Sequence, residues 1–272
     1  MKKIRLVALD IDGTLLDDQK RLPPANREAL EAASRRGVII AIASGRMIPR
    51  IEPIEDLLGI DCVLIAYNGG KVAGRRQEGR PIIVHRPLPA DVAEFFINYS
   101  RETGYLLNFY HEDRLYAEDG PRRRPFIDLY TARTGAEFHL ESDLRRFLGI
   151  APTKLILLTD RVDRDRLHDE FQKKLGQRAF FTKSEPEYLE IMAPGVDKGS
   201  ALVDIARHYG TGLDETMGVG DAENDIELLR AAGWGVAMAN SPPEVKAAAK
   251  AVTVRTNNEG GVAEAIDRWV LG

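Results

Sequence analysis

The sequence predicts an α/β protein: a Rossmann-like, parallel-sheet core with a second, α+β domain inserted in its middle. Three observations lead there. The N-terminal third alternates continuous apolar runs with amphipathic stretches, the order of a parallel sheet with covering helices. The middle third changes to short strand-like runs joined by tight polar turns. From Lys198 onward the first rhythm returns.

Residues 4–9 (IRLVAL) read as a strand buried on both faces. Residues 23–36 read as a helix, with Pro23 and Pro24 in its first turn, Leu30 and Ala33 on one face and Gly37 as its stop. VIIAIAS (38–44) is a second buried strand, followed by a short helical stretch through Ile54, Leu57 and Leu58. CVLIAY (62–67) is a third strand, ending at Asn68-Gly69-Gly70. In the middle block, IIVHRPL (82–88), YLLNFY (105–110), RLYAE (114–118), KLILLT (154–159), RAFFTK (178–183) and YLEIM (188–192) are strand-like, with helical segments near 89–103, 140–148 and 163–175. Beyond it, Leu202, Ile205 and Tyr209 mark a helix face, and MGVGD (217–221) is a strand running into a turn. A helix from Asn224 to Ala232, strands GVAM (235–238) and AVTV (251–254) and a closing helix with Ile266, Trp269 and Val270 complete the pattern. The expected boundaries are 1–83 and 190–272 for the core and 84–189 for the insert.

Composition excludes several classes. With 44% apolar and 29% charged residues the chain is built to fold and bury a core. A net charge of −4 gives no general affinity for polyanions, so nucleic acid is not expected as a partner. No apolar run approaches the roughly 20 residues that span a bilayer, and Asp10 and Asp12 interrupt the first one too early for a signal peptide. Cys62 is the only cysteine, which rules out an intrachain disulfide or a thiolate metal cluster and suits a small apolar strand residue. A cytoplasmic monomer or homodimer is expected.

Open parallel sheets bind ligands outside the carboxyl ends of their strands. The first strand ends in Asp10-Ile11-Asp12-Gly13-Thr14, the second in Ser44-Gly45-Arg46, the third in Asn68-Gly69-Gly70. The returning half offers Asp197-Lys198-Gly199 at a helix start and Gly220-Asp221-Ala222-Glu223-Asn224-Asp225 after a strand. Taken singly, each is commonplace. Asp-x-Asp after a strand is usually a turn, Ser44-Gly45 suits an N-cap, and acids such as Asp225 often open helices. Lys198 opposes the helix dipole and calls for a nearby anion. Their joint order at successive strand ends sets them apart, because carboxylates facing a lysine and a hydroxyl suit a hard dication and a phosphate.

These motifs resemble those of the haloacid dehalogenase-like (HAD) phosphohydrolases, Cof-type subfamily, whose type IIB cap lies between the second and third motifs. DIDGTLL matches the first motif, ASGR the second, Lys198 in VDKGSAL the third and GVGDAENDIELL the fourth. The resemblance spans the chain and implies a HAD-like core with a cap domain at 84–189. It makes Asp10 the nucleophile that forms an aspartyl-phosphate, and Asp12 the acid and base, in an environment expected to raise its pKa. It implies Mg2+ held by Asp10, the Asp12 carbonyl and Asp221, with Asp225 supporting through water or Lys198. Ser44 and Lys198 would bind the phosphoryl oxygens, aided by the amides of Ile11 and Gly45 and the Asn224 side chain. Arg46 and Asn68 are candidates for substrate or structural contacts.

The implied function is a Mg2+-dependent phosphatase acting on a small phosphorylated metabolite. A sugar phosphate is the subfamily's default, and pyridoxal phosphate or flavin mononucleotide are other possibilities. A sugar-phosphate mutase is the nearest alternative enzyme. A phosphoaspartate signalling module is the competing class, against which both Asp12 and the insert count. In the cap, Arg122-Arg123-Arg124 reads as a solvated loop, with contact to an anionic substrate as the alternative, His111, Tyr110 and Tyr116 flank a hairpin, and Phe95, Phe96 and Phe171 are expected in its core.

Overall fold

The computed structural model describes residues 2–272. Elements in chain order are β1 (Leu6–Asp10), α1 (Pro24–Arg35), β2 (Ile39–Ala43), α2 (Glu52–Leu58), β3 (Val63–Ala66), β4 (Lys71–Ala73) and β5 (Ile82–His85). There follow α3 (Ala90–Thr103), β6 (Leu106–His111), β7 (Arg114–Glu118), α4 (Arg124–Thr134), β8 (Phe138–Glu141), β9 (Lys154–Leu158), α5 (Arg161–Leu175), β10 (Phe180–Glu185) and β11 (Tyr188–Met192). The chain closes with α6 (Lys198–His208), β12 (Thr216–Gly220), α7 (Ile226–Ala231), β13 (Trp234–Ala237), α8 (Pro243–Ala248), β14 (Ala251–Val252) and α9 (Gly261–Ile266). Two compact units emerge: the residues up to His85 with Asp197–Gly272, and Arg86–Val196. No helix among the described residues is long and apolar enough to cross a membrane.

The first unit is an eight-stranded sheet in the order β14-β13-β12-β1-β2-β3-β4-β5. Its six strands from β14 to β3 run parallel, and β4 and β5 turn back antiparallel at one edge. β1 is central and wholly buried, as its unbroken apolar run requires. Leu6 and Ala8 pack with Ala41, Ala43, Val63 and Ile65 against Leu202 and Ile205 of α6. The register pairs Asp10 with Ala43 and Leu9 with Val219, so the loops after β1, β2 and β12 leave the sheet at one level. Asn26 of α1, fully buried, donates from Nδ2 to the Leu15 carbonyl at 2.9 Å and accepts from the Ala263 amide at 2.9 Å. One side chain thereby ties the loop after β1 to α9.

The second unit is a six-stranded sheet in the order β10-β11-β9-β6-β7-β8. Only β7 and β8 pair in parallel, connected through α4. α3 and α5 cover one face with Phe96 and Phe171, whose ring centroids lie 5.0 Å apart in an edge contact, and Phe95 joins them. Tyr116 packs on the same core, whereas Tyr110 points the other way, to the Tyr130 hydroxyl of α4 at 2.5 Å. The β6–β7 hairpin turns at Glu112 and Asp113, both left-handed (φ 50° and 56°), the conformation of a type I′ turn.

Several sequence-based boundaries differ. Residue 84 falls within β5, which pairs with β4 in the core sheet. Residue 190 falls within β11, which pairs with β9 and β10 and keeps the chain in the second unit as far as Val196. Residues 140–148 are not a helix: β8 ends at Glu141 and only a 3₁₀ turn, Leu144–Phe147, follows. Arg122–Arg124 is not a free solvated loop either. Arg124 starts α4, and Arg123 binds Glu118 at 2.5 Å and the Ser100 carbonyl at 3.1 Å from a largely buried position.

Because Asn26 serves two elements at once, Asn26→Ala leaves a buried carbonyl and a buried amide unpartnered. It should lower the unfolding free energy by about 2 kcal/mol, measured by urea titration.

Candidate active site

The site grows from the turn after β1. The Leu16 amide donates to the Ile11 carbonyl at 2.9 Å and folds the loop back over the strand end. Gly13 has φ +82°, and a Cβ there would overlap the Asp221 carboxylate, so both the turn and the close approach require glycine. Thr14 donates from Oγ1 to Asp221 Oδ1 at 2.8 Å. The first and fourth motifs are thus joined directly.

Lys198 opens α6, capped by Asp197, whose Oδ1 accepts the Ser200 amide at 2.7 Å. Gly69 lets the turn after β3 approach this helix start, where a Cβ would overlap the Asp197 carbonyl. The Lys198 side chain is entirely buried. Its Nζ lies 2.5 Å from Asp10 Oδ1 and 2.6 Å from Asp225 Oδ1. The anion that its place against the helix dipole calls for is therefore supplied twice. Asp225 Oδ2 accepts the amides of Asp221 and Ala222, each at 3.0 Å. Both Asp225 oxygens are engaged, so this residue holds the loop and the lysine.

Ligand-capable oxygens of Asp10, Asp221 and Asp225 lie within 4.8 Å of one another. Three carboxylates against one ammonium leave an excess of negative charge, which a divalent cation would neutralise. The donor set is all oxygen, as a hard cation prefers. Electrostatics carry the same mark. Burial, followed by the like charges of Asp225 and Asp221, pushes the Asp10 carboxyl above its ordinary range against the pull of Lys198. Burial lifts Asp221 to about 6, with Thr14 opposing and Asp225 assisting. Burial alone would pull Lys198 down, but Asp10 and Asp225 outweigh it and hold the ammonium above its ordinary value.

Asp12 departs from expectation. Its carboxylate is not part of this cluster and lies between two cations, Lys20 Nζ at 2.8 Å on Oδ1 and Arg46 Nη2 at 2.5 Å on Oδ2. Burial is the largest single influence and pushes its pKa up, but Lys20 and Arg46 together outweigh it and hold the carboxyl below its ordinary range. The anticipated raised pKa is absent because the neighbouring charges are cationic. Arg46, a candidate above for a substrate or a structural contact, makes this structural contact to Asp12.

Ser44 is buried, and its Oγ accepts the Arg46 amide at 3.2 Å. Asn68, left-handed at φ 54°, donates its amide to the Ser44 carbonyl at 2.9 Å, and its side chain lies against Gly45. Asn224 Nδ2 donates to Asn68 Oδ1 at 3.3 Å, so these two predicted residues meet each other. Sequence reasoning missed Lys20, Thr14 and Asn240, whose Nδ2 donates to the Gly13 carbonyl at 2.8 Å. Thr14 stood inside the first motif. Lys20 and Asn240 carried no local signal.

With this geometry in view, comparison with known proteins is informative. The model of the haloacid dehalogenase-like hydrolase family matches residues 7–266. An HMP-PP phosphatase of Escherichia fergusonii is 30% identical over 244 residues, covering 89% of this chain and 87% of that protein. A solved haloacid dehalogenase-like hydrolase from Bacteroides thetaiotaomicron superposes with a TM-score of 0.87 at 28% identity, over 98% of this chain and 99% of that one. A solved HAD subclass IIB sugar phosphatase superposes with a TM-score of 0.81 at 25% identity, over 97% and 98%. The chain belongs to the haloacid dehalogenase-like hydrolases. Within that family it is a phosphatase, similar in fold to those of subclass IIB.

The Asp221 shift gives a pH prediction. Without a cation, a carboxyl raised from 3.8 to about 6 favours the folded state while protonated, so its contribution to stability falls as pH rises through that window. A cation must displace that proton below about pH 6 and need not above it. At a fixed concentration of divalent metal, the rise in melting temperature should be larger at about pH 7.5 than at about pH 5. Asp221→Asn should flatten the difference.

Proposed function

We propose that this protein hydrolyses the phosphate ester of a small metabolite, with Mg2+, through an aspartyl-phosphate on Asp10. One observation carries the reading: the fully buried Lys198 bridges Asp10 and Asp225, with Asp221 beside them. Two buried carboxylates on one buried ammonium, with a half-buried third beside them, have little structural use and suit a phosphate bound beside a cation. The Asp10 and Asp221 side chains and the Asp12 carbonyl would hold Mg2+, with Asp225 supporting through Lys198. Bound there, Mg2+ supplies charge neutralisation between the carboxylate nucleophile and the phosphate.

The remaining chemistry belongs to the chain. An Asp10 oxygen attacks phosphorus, the bond to the ester oxygen breaks, and Asp12 delivers a proton to the departing alkoxide. Water then attacks the aspartyl-phosphate and gives a proton to Asp12, and the bond from phosphorus to Asp10 breaks to release inorganic phosphate. Lys198, Ser44, the Ile11 and Gly45 amides and Asn224 stabilise the phosphoryl oxygens. In the free protein Asp12 is held ionised. The negative charge of an arriving phosphate opposes the pull of Lys20 and Arg46 and favours the protonated form that the first step needs.

A sugar phosphate is the proposed substrate class. The similarity to a solved sugar phosphatase supports it, and the inserted unit is assigned the substrate selectivity. Turnover of p-nitrophenyl phosphate should require Mg2+ and be lost with EDTA, and Asp10→Asn should reduce it by at least about a thousandfold. Retained turnover in that variant would remove Asp10 as nucleophile. A screen of several phosphorylated metabolites by phosphate release tests the substrate class, and preference for a substrate without a sugar ring would overturn it.

A further inference from the structure

Lys20 stands outside the motifs, and the proposed mechanism gives it no more than a pull on the Asp12 charge. It lies in the loop after β1, and its side chain is 62% exposed, yet it reaches Asp12 Oδ1 at 2.8 Å. A pair this open to water adds little to stability. The loop is nevertheless built to make it. Lys20 holds a left-handed backbone, φ +60°, a conformation disfavoured for a residue with a long side chain. Asp17 imposes it: Oδ1 accepts the amides of Gln19 at 2.9 Å and Arg21 at 2.8 Å, and the Lys20 amide donates to the Asp17 carbonyl at 2.9 Å.

The loop is also anchored from the far end of the chain. Asn257 Nδ2 donates to Asp18 Oδ1 at 3.0 Å and to the Leu16 carbonyl at 3.1 Å. Asn258 Nδ2 donates to Asp18 Oδ2 at 2.9 Å, while its Oδ1 accepts the Asp18 amide at 3.0 Å. These bonds fix where Lys20 leaves the loop. With Lys20 on one oxygen and Arg46 on the other, the Asp12 carboxylate plane is set. Two of its roughly four acceptor sites are used and the others stay open to water.

We infer that Lys20 is a positioning residue for the second half-reaction, holding the Asp12 carboxylate where it takes the proton of the water that attacks the aspartyl-phosphate. Proton donation in the first half-reaction leaves Asp12 as the anion that Lys20 receives. The attacking water then forms its bond to phosphorus as the bond to Asp10 breaks, and its proton passes to Asp12. This rests on the aspartyl-phosphate reading above, which the experiment tests separately.

The test uses the 272-residue protein with Mg2+ and 2,4-dinitrophenyl phosphate, whose phenolate leaves without a proton, so Asp12 is dispensable for the first step. Lys20→Met should lower kcat about tenfold and leave kcat/KM, which reports the first irreversible step, within about twofold. In rapid quench, hydroxylamine-sensitive phosphoprotein should rise toward one per site. Lys20→Arg should restore most of the rate, and the exposed position predicts unchanged melting. Equal losses in kcat and kcat/KM would place the role of Lys20 in the first step, and a raised KM alone would make it a phosphate-binding residue; either overturns the inference, as would unchanged kinetics. Asp12→Asn is the control. If it accumulates phosphoprotein and Lys20→Met does not, the mechanism stands and the role of Lys20 falls. If neither accumulates it, both fall.

Discussion

The ammonium of Lys198 is the point on which the catalytic end of the core depends. An unpaired charge with no access to water is not tolerated, so the protein must bring anions to it. Asp10 arrives from β1, and Asp225 from the segment after β12. Asp225 can reach only because Gly220 has no Cβ, which would overlap the Asp225 side chain. Its second oxygen is held by two backbone amides, so the loop after β12 is shaped around the same carboxylate. Buried ion clusters are weak evidence for stability, because desolvation consumes most of the Coulombic gain. The excess of carboxylate over ammonium makes this cluster worse as a structural device and better suited to receive a cation.

Asp10 and Asp12 show how one residue type acquires two chemistries across a two-residue step. Asp10 faces inward at the strand end, where burial and like charges push its carboxyl up and Lys198 opposes them. Asp12, past Ile11, is paired with two cations, Lys20 and Arg46. The separation of their environments, rather than their identity, is what would let the proposed nucleophile and the proposed proton carrier stand side by side. Gly13 completes the arrangement by letting the chain leave while Asp221 closes in behind it.

Local features of the core were readable in the sequence because the strand ends carry their own chemistry. The residues after β1, β2, β3 and β12, with Lys198 at the start of α6, form runs whose apolar pattern predicts a strand or helix and whose next residues are the site. What escaped was non-local. Whether 82–85 and 188–192 belong to one sheet or the other is decided by pairing partners, β4 in one case and β9 and β10 in the other, which no local run reveals. α4 was hidden because Arg-Arg-Arg-Pro looks like a loop, and its helix is sustained by Ile127 and Tyr130 packing on the sheet. The environment of Asp12 was misjudged because Lys20 is delivered by a loop whose anchors, Asn257 and Asn258, lie at the opposite end of the sequence.

The insertion itself follows from the distribution of the site residues. β1 carries Asp10, while Lys198, Asp221 and Asp225 all come from the segment after the insert. The central pairing of β1 with β12 is therefore both the closure of the sheet and the assembly of the site. Closing a chain over a long intervening segment costs little more than over a short one, since the entropy grows only with the logarithm of length, about 0.6 kcal/mol per doubling. A unit with its own sheet and aromatic core can sit there without taxing that closure further, because its order is supported by its own contacts. The break falls after β5, beyond the strand ends that bear Ser44 and Asn68, so those segments are complete before the insert begins. The sheet can thus tolerate wide variation in what is inserted while the geometry of the carboxylates stays fixed by β1 and β12.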